Sequence, residues 1–159
     1  MSHSEGRAEI ALRPFTGADI GPLGKLFGAA RASMQLFDDP YTTGEHTAYI
    51  AGLAVGCAIT VAEADGQLAG FLSFARKPGE AMGEISHLFV HPDHQGQGVG
   101  AQLLDDAITR HGPPLHLWVF EANARARALY EGRGFVMTER TDGSSNDEKL
   151  PDMRYDLAG

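Results

Sequence analysis

One stretch constrains this chain more than any other: Glu84-Ile85-Ser86-His87-Leu88-Phe89-Val90-His91-Pro92-Asp93-His94-Gln95-Gly96-Gln97-Gly98-Val99-Gly100-Ala101. Ile85 to Val90 is a short apolar run with an aromatic and β-branched end, the pattern of a mostly buried strand. His91-Pro92-Asp93 stops it. Gly96, Gly98 and Gly100 then strip side chains from a segment where the backbone must bend or let something approach, and an amphipathic helix begins inside the glycine run. A helix start of this kind offers unpaired N–H groups and the positive end of the helix dipole to an anion, above all a phosphate.

The remainder of the chain narrows the setting. Its 159 residues are enough for one domain with an ordinary core. Cys57 is the sole cysteine, so no internal disulfide or CxxC metal site is expected, nothing calls for an oxidising compartment, and a cytoplasmic location follows. The first seven residues are polar and lack the apolar core of a signal peptide, residues 1–8 read as a flexible tail, and no run reaches membrane-spanning length. A formal charge of −8 with no basic patch speaks against nucleic acid and anionic membranes as partners.

Read in order, residues 10–15 form an edge strand limited by Pro14, and Thr16 with Asp19 resembles a capping box that opens a helix over 16–31. A second helical pattern covers about 45–53. Residues 56–64 and 67–76 are strands joined by Asp65-Gly66, a strong hairpin signal. Beyond the opening stretch, Leu103, Leu104, Ala107, Ile108 and His111 line one helix face. Residues 115–120 form a further strand, Asn123 starts a short helix with a stop at Gly134, and 135–140 with 153–157 close the chain as an antiparallel pair around a polar loop, 141–151. The expected fold class is α+β, with α and β layered: a mixed, mainly antiparallel central sheet flanked by helices, with one parallel crossover at its centre, in a single domain spanning 1–159.

Three phosphate-binding patterns compete for the glycine run. The P-loop lacks its lysine and hydroxyl. A dinucleotide fingerprint is met in form by Gly96-x-Gly98-x-x-Ala101, with Glu121 about 20 residues on, but five residues separate strand from Gly96 and only one β-α-β unit exists where two are needed. The third pattern is Gln95-x-x-Gly98-x-Gly100 after Val90-His91-Pro92-Asp93. Together with the downstream run from Trp118 through Glu121, Asn123, Ala126, Leu129 and Tyr130 to Gly134-Phe135, it resembles the GNAT superfamily of acyl-CoA-dependent N-acetyltransferases. The resemblance covers nearly the whole chain through its element order.

That resemblance implies roles. The amides of Gln95, Gly96, Gln97, Gly98, Val99, Gly100 and Ala101 would cradle the CoA pyrophosphate, a Cβ at the glycines being expected to block the approach. The strand backbone at Leu88, Phe89 and Val90 would pair with the pantetheine amides. Asn123 would hold the CoA arm, besides capping its helix. Tyr130, seven residues on and so on the same helical face, would stand near the sulfur and assist thiolate departure. Glu84 resembles the glutamate base of some members, with Glu121 or a water as alternatives. His87, by alternation, points to the other face of the strand from Glu84.

His87, His91, Asp93 and His94 invite a metal reading, but their spacing does not converge on one point and no metal is expected. Arg125, Arg127 and Arg133 are candidates for the CoA 3′-phosphate, although helix arginines more often face solvent, and residues 144–148 could overhang the acceptor. The resulting expectation is transfer of an acetyl group from acetyl-CoA to a primary amine by direct attack, the acceptor being a small molecule and a homodimer being compatible with the family. Two alternatives are a non-catalytic acyl-CoA-binding module on the same fold and, behind it, a dinucleotide-binding protein.

Overall fold

In the computed structural model, which describes residues 8–159, the elements follow the expected order: β1 (Ile10–Pro14), α1 (Ile20–Met34), α2 (Thr43–Gly56), β2 (Ala58–Ala64), β3 (Gln67–Ala75), β4 (Gly83–Val90), α3 (Val99–His111), β5 (Leu115–Phe120), α4 (Ala124–Glu131), β6 (Val136–Thr141) and β7 (Asp152–Leu157). Short 3₁₀ turns precede α1 and follow β4. The seven strands form one sheet in the order β1-β2-β3-β4-β5-β7-β6. β1 pairs with β2, and β7 with both β5 and β6, antiparallel; β4 and β5 are parallel, with Gly83 opposite Leu115 and Glu84 opposite His116. The expected tail lies outside the described residues except for Ala8.

The described chain falls into two compact units: residues up to Ser73 together with His87–Asp106, and Phe74–Ser86 together with Ala107–Gly159. In the first unit, Asp19 accepts from the Thr16 N–H at 2.8 Å and from its hydroxyl at 3.3 Å, and this same buried carboxylate takes both ends of the Arg13 guanidinium at 2.8 Å. A fork-to-fork pair of this geometry joins the end of β1 to the start of α1. The helix runs three residues past its expected end and stops where Gln35 turns left-handed, at φ 55°. α2 starts earlier than expected because Thr42 and Glu45 form a complete capping box: Glu45 N–H to Thr42 Oγ1 at 3.1 Å, Thr42 N–H to Glu45 Oε1 at 2.9 Å.

Leu23, Leu26, Phe27, Ile50, Ile59, Val61 and Phe71 form the apolar core of this unit. Asp65 and Gly66 both have positive φ, 51° and 79°, as the two-residue hairpin turn between β2 and β3 requires. At Gly70 a Cβ would lie 2.8 Å from the Phe89 carbonyl oxygen and 3.1 Å from Val99, so only glycine lets β3 lie this close to the end of β4 and the start of α3.

In the second unit the alternating Leu115, Leu117 and Val119 of β5 face inward, as do Met153 and Tyr155 of β7, and all are buried with Phe135. Residues 141–151 are tied into a defined loop by Asn146, whose side chain donates to the Leu150 carbonyl at 2.7 Å and accepts from its N–H at 3.2 Å.

Candidate functional site

The glycine run belongs to the first unit and behaves as its sequence requires. Gly96 and Gly98 hold φ of 81° and 88°, left-handed backbone that other residues reach only under strain. The first turn of α3 begins at Val99, and Gln102 N–H is already bonded to the Gly98 carbonyl at 3.0 Å. The amides of residues 99–101 therefore precede the helical ladder and have no intrahelical acceptor. A Cβ built at Gly98 meets nothing within 4 Å. The glycine is thus imposed by the sign of φ, not by crowding from the protein, and the space outside it is open.

Side chains of the loop itself brace it. Gln95 donates through Nε2 to the Val90 carbonyl at 3.4 Å and to Ser33 Oγ at 3.5 Å. The His91 ring accepts the Asp93 N–H at 3.0 Å, and His94 Nδ1 lies 3.3 Å from Gln97 Oε1. The turn histidines thus serve the backbone and their neighbours. Leu88, Phe89 and Val90 lead directly into the loop and are all partly exposed, with Phe89 packed on the core of the first unit.

The second unit holds the other candidates. Asn123 is the N-cap of α4, its Oδ1 accepting the Ala126 N–H at 3.2 Å. It lies outside the helix, at ψ 73°, so the expected seven-residue spacing within one helix does not strictly apply. Tyr130 is buried, 7% exposed, between Phe135 and Tyr155, with ring centroids 5.9 and 6.4 Å away. Burial pushes its phenol above the ordinary value near 10, and its hydroxyl bonds to no described residue.

Glu84, on β4, has Oε2 3.6 Å from His116 Nε2, and its side chain is 44% exposed. His116 Nδ1 is buried without a hydrogen-bond partner among the described residues. Sequence periodicity gave no reason to connect His116 with Glu84; the parallel β4–β5 register does so. Glu121 is taken by Arg140, in a close ion pair. Arg127 donates to the Tyr155 hydroxyl at 3.1 Å and the Glu121 carbonyl at 3.0 Å, contacts that hold it against its own unit.

His87 is where the metal reading is most clearly replaced. Its Nδ1 lies 2.9 Å from Ser73 Oγ and its Nε2 2.8 Å from the Tyr49 hydroxyl, both within the first unit. Burial, reinforced by the charge of Arg31, lowers its pKa to about 4. Among the described residues no group of three or more His, Cys, Asp or Glu is placed to hold a metal ion.

In the first unit a left-handed glycine turn leads from β4 into the N-terminus of α3, and in the second unit α4 is capped by Asn123 and carries the buried Tyr130. The profile of the acetyltransferase (GNAT) domain matches residues 55–137, more than half of the chain. The chain belongs to the GNAT acetyltransferase family. It is 35% identical over 102 residues to an uncharacterized N-acetyltransferase of Archaeoglobus fulgidus, an overlap that takes in 57% of this chain and 66% of that one. It spans at most about two thirds of the length of the curated relatives it matches.

Solved GNAT structures share its fold. A ribosomal L7/L12 alpha-N-protein acetyltransferase in complex with coenzyme A superposes with a TM-score of 0.77 at 18% identity, over 94% of this chain and 93% of its own. The ribosomal-protein-S18-alanine N-acetyltransferase of Escherichia coli gives 0.75 at 21% identity, over the same shares. The mixed seven-stranded sheet flanked by helices is therefore the GNAT fold. A dinucleotide fold has no support, since β4 and β5 supply the parallel pair of a single crossover.

Proposed function

We propose that this GNAT chain is an N-acetyltransferase that moves an acetyl group from acetyl-CoA to a primary amine by direct attack. One observation carries most of the weight: the left-handed turn at Gly96 and Gly98, open at Gly98, running into the N–H groups of α3 that precede its helical ladder, within the matched segment. These residues suit a pyrophosphate by charge and by space. The family membership and the coenzyme A bound to the L7/L12 acetyltransferase support the same ligand.

In this reading the amides of Gln95, Gly96, Gln97, Gly98, Val99, Gly100 and Ala101 receive the pyrophosphate, and the backbone at Leu88, Phe89 and Val90 runs beside the pantetheine. The amine nitrogen bonds to the acetyl carbon, the carbon–sulfur bond breaks, and the nitrogen gives up a proton to Glu84 or to water. CoA leaves as a thiolate that accepts a hydrogen bond from Tyr130 and takes a proton from water to end as a thiol. Asn123 keeps its capping role and contributes to the CoA arm. The chain acts as one domain on a small-molecule acceptor.

Two measurements test this. Calorimetry should detect CoA binding to the wild-type chain and not to Gly98→Val, and loss of thioester absorbance should accompany a subset of a primary-amine panel. CoA binding without turnover on any amine would leave a binding module in place of an enzyme. Stabilisation by NADH and not by CoA would overturn both.

A further inference from the structure

Across the second unit, the strand ladder sets three ionisable side chains in one row. Glu84 on β4 stands opposite His116 on β5, and His116 stands opposite Asp156 on β7. Directly paired residues share a face of the sheet, so all three lie on the side away from the buried Leu115, Leu117 and Val119. Arg154, two residues before Asp156, belongs to the same face.

The two carboxylates beside His116 are not equivalent. Asp156 is already engaged: Arg154 donates to Oδ1 from Nε at 2.8 Å and to Oδ2 from Nη2 at 3.1 Å, and the Thr138 hydroxyl donates to Oδ1 at 2.9 Å. The Arg154 hydrogen bonds above all hold its carboxyl below the ordinary value. Glu84, by contrast, has a side chain 44% exposed and meets His116 Nε2 through Oε2 at 3.6 Å. That separation is an ion-pair contact, longer than a direct hydrogen bond.

The His116 side chain is 18% exposed, and its Nδ1 is buried with no hydrogen-bond partner among the described residues. A neutral imidazole carries one ring proton, and the surroundings decide which nitrogen holds it. On Nδ1 the proton would make a buried donor with nothing among the described residues to accept it, while a lone pair at Nε2 faced the Glu84 carboxylate. On Nε2 it faces that negative charge, and the interior keeps a lone pair, the less costly group to leave unpaired. Both nitrogens favour the Nε2–H form.

We propose that His116 is a positioning residue for Glu84: its Nε2–H group holds Oε2 toward β5 and leaves Oε1 to take the proton of the incoming amine. In the step assigned above, the amine nitrogen bonds to the acetyl carbon and the carbon–sulfur electron pair leaves with the thiolate. The proton released from nitrogen goes to Glu84 Oε1, and the His116 proton stays on Nε2 throughout. A half-exposed carboxylate with no such contact samples many orientations, and a fixed N–H on one oxygen narrows them before the amine arrives. This assignment rests on the acetyltransferase reading, and it deepens that reading by naming the group that orients the proton acceptor.

Two measurements test it. Long-range proton–nitrogen NMR of the wild-type chain above about pH 8, where an ordinary imidazole is neutral, reads the tautomer without any turnover. The His116 signal, assigned by its loss in His116→Gln, is expected to show a protonated Nε2, and a protonated Nδ1 overturns the proposal. Steady-state kinetics reads the role. His116→Phe keeps a ring in place and removes the N–H, and should lower kcat/KM for the amine by roughly 5-fold, the size of one hydrogen bond, with the KM for acetyl-CoA unchanged. His116→Gln, whose amide returns an N–H close to the place of Nε2, should recover all but about 2-fold of that loss. Added to Glu84→Gln, His116→Phe should have no further effect, because no carboxylate is left to position. Equal losses in His116→Phe and His116→Gln, or an undiminished loss on top of Glu84→Gln, give His116 a packing role alone and overturn the proposal. Unchanged turnover in His116→Phe overturns it as well and leaves the acetyltransferase reading standing, whereas a wild-type chain that consumes thioester with no amine overturns the reading, and the proposal with it.

Discussion

Tyr49 in the first unit is half-exposed, yet its hydroxyl is fixed 2.8 Å from His87, whereas Tyr130 in the second unit is buried, yet its hydroxyl bonds to no described residue. The difference shows that exposure and availability are separate properties of a polar group. Tyr49 is tied through its hydroxyl to His87 while about half of its surface stays in water. Tyr130 is surrounded by Phe135 and Tyr155 and keeps its proton, because burial disfavours the phenolate. A thiol titrates ordinarily near 8.5, below a phenol raised by burial, so in the proposed reaction Tyr130 donates a hydrogen bond to the CoA thiolate and keeps its own proton.

The largest effect that sharpens this contrast concerns the support behind Tyr49. His87 binds a proton less readily in the folded chain than in the unfolded one, so its neutral form contributes stability that is fully present above about 6.5 and is lost as pH falls toward 4. The loss is on the order of 3 kcal/mol for a shift of this size. Thermal unfolding of wild type should therefore weaken between pH 7 and pH 4 more than that of His87→Gln, and parallel curves would refute the assignment. On the other side of the comparison, Tyr130→Phe removes only an oxygen, and we expect kcat to fall on the order of 100-fold with unchanged melting temperature and unchanged KM for acetyl-CoA. Full activity in this variant would remove the tyrosine from the chemistry.

Gly98→Ala introduces strain at a positive φ without filling protein space, at a cost of about 1–2 kcal/mol in the loop conformation. CoA affinity measured by calorimetry should drop roughly 10- to 30-fold while acceptor KM is unaffected. The smallest expected change is at Glu84. With a side chain 44% exposed and water as an alternative proton acceptor, Glu84→Gln should lower kcat/KM by about 10-fold. Unchanged kcat/KM in this variant would assign the proton to water or to another group.

The fold was legible because its signals are local. Asp65-Gly66, the glycine run, Asn123 and the paired Thr16 and Asp19 each act within a few residues, and each did in the structure what its chemistry prescribes. The start of α2 was legible as well in Thr42-x-x-Glu45, although hydrophobic periodicity alone placed the helix two residues late. The distant partnerships were not legible. Tyr49 and His87 are 38 residues apart, and His116 reaches Glu84 only because two parallel strands set them in register. No local pattern encodes such a pairing. The same holds for Arg127, which looked like a free cation until β7 brought the Tyr155 hydroxyl to it.

The outer rim of the sheet has its own consequence. β6 is the terminal strand beside β7, exposed along nearly its whole length, with Val136 and Met137 uncovered. Its ladder shifts between Met137 and Glu139, so Thr138 stands out of register and its hydroxyl turns to Asp156 at 2.9 Å. Such an interruption twists the rim and breaks the even row of N–H and C=O groups that another polypeptide would need in order to add a strand. A solvent-facing rim with two uncovered apolar side chains is thereby kept from acting as a template for aggregation, and a change that restores regular spacing, such as deletion of Thr138, should make the protein stickier before it makes it less stable.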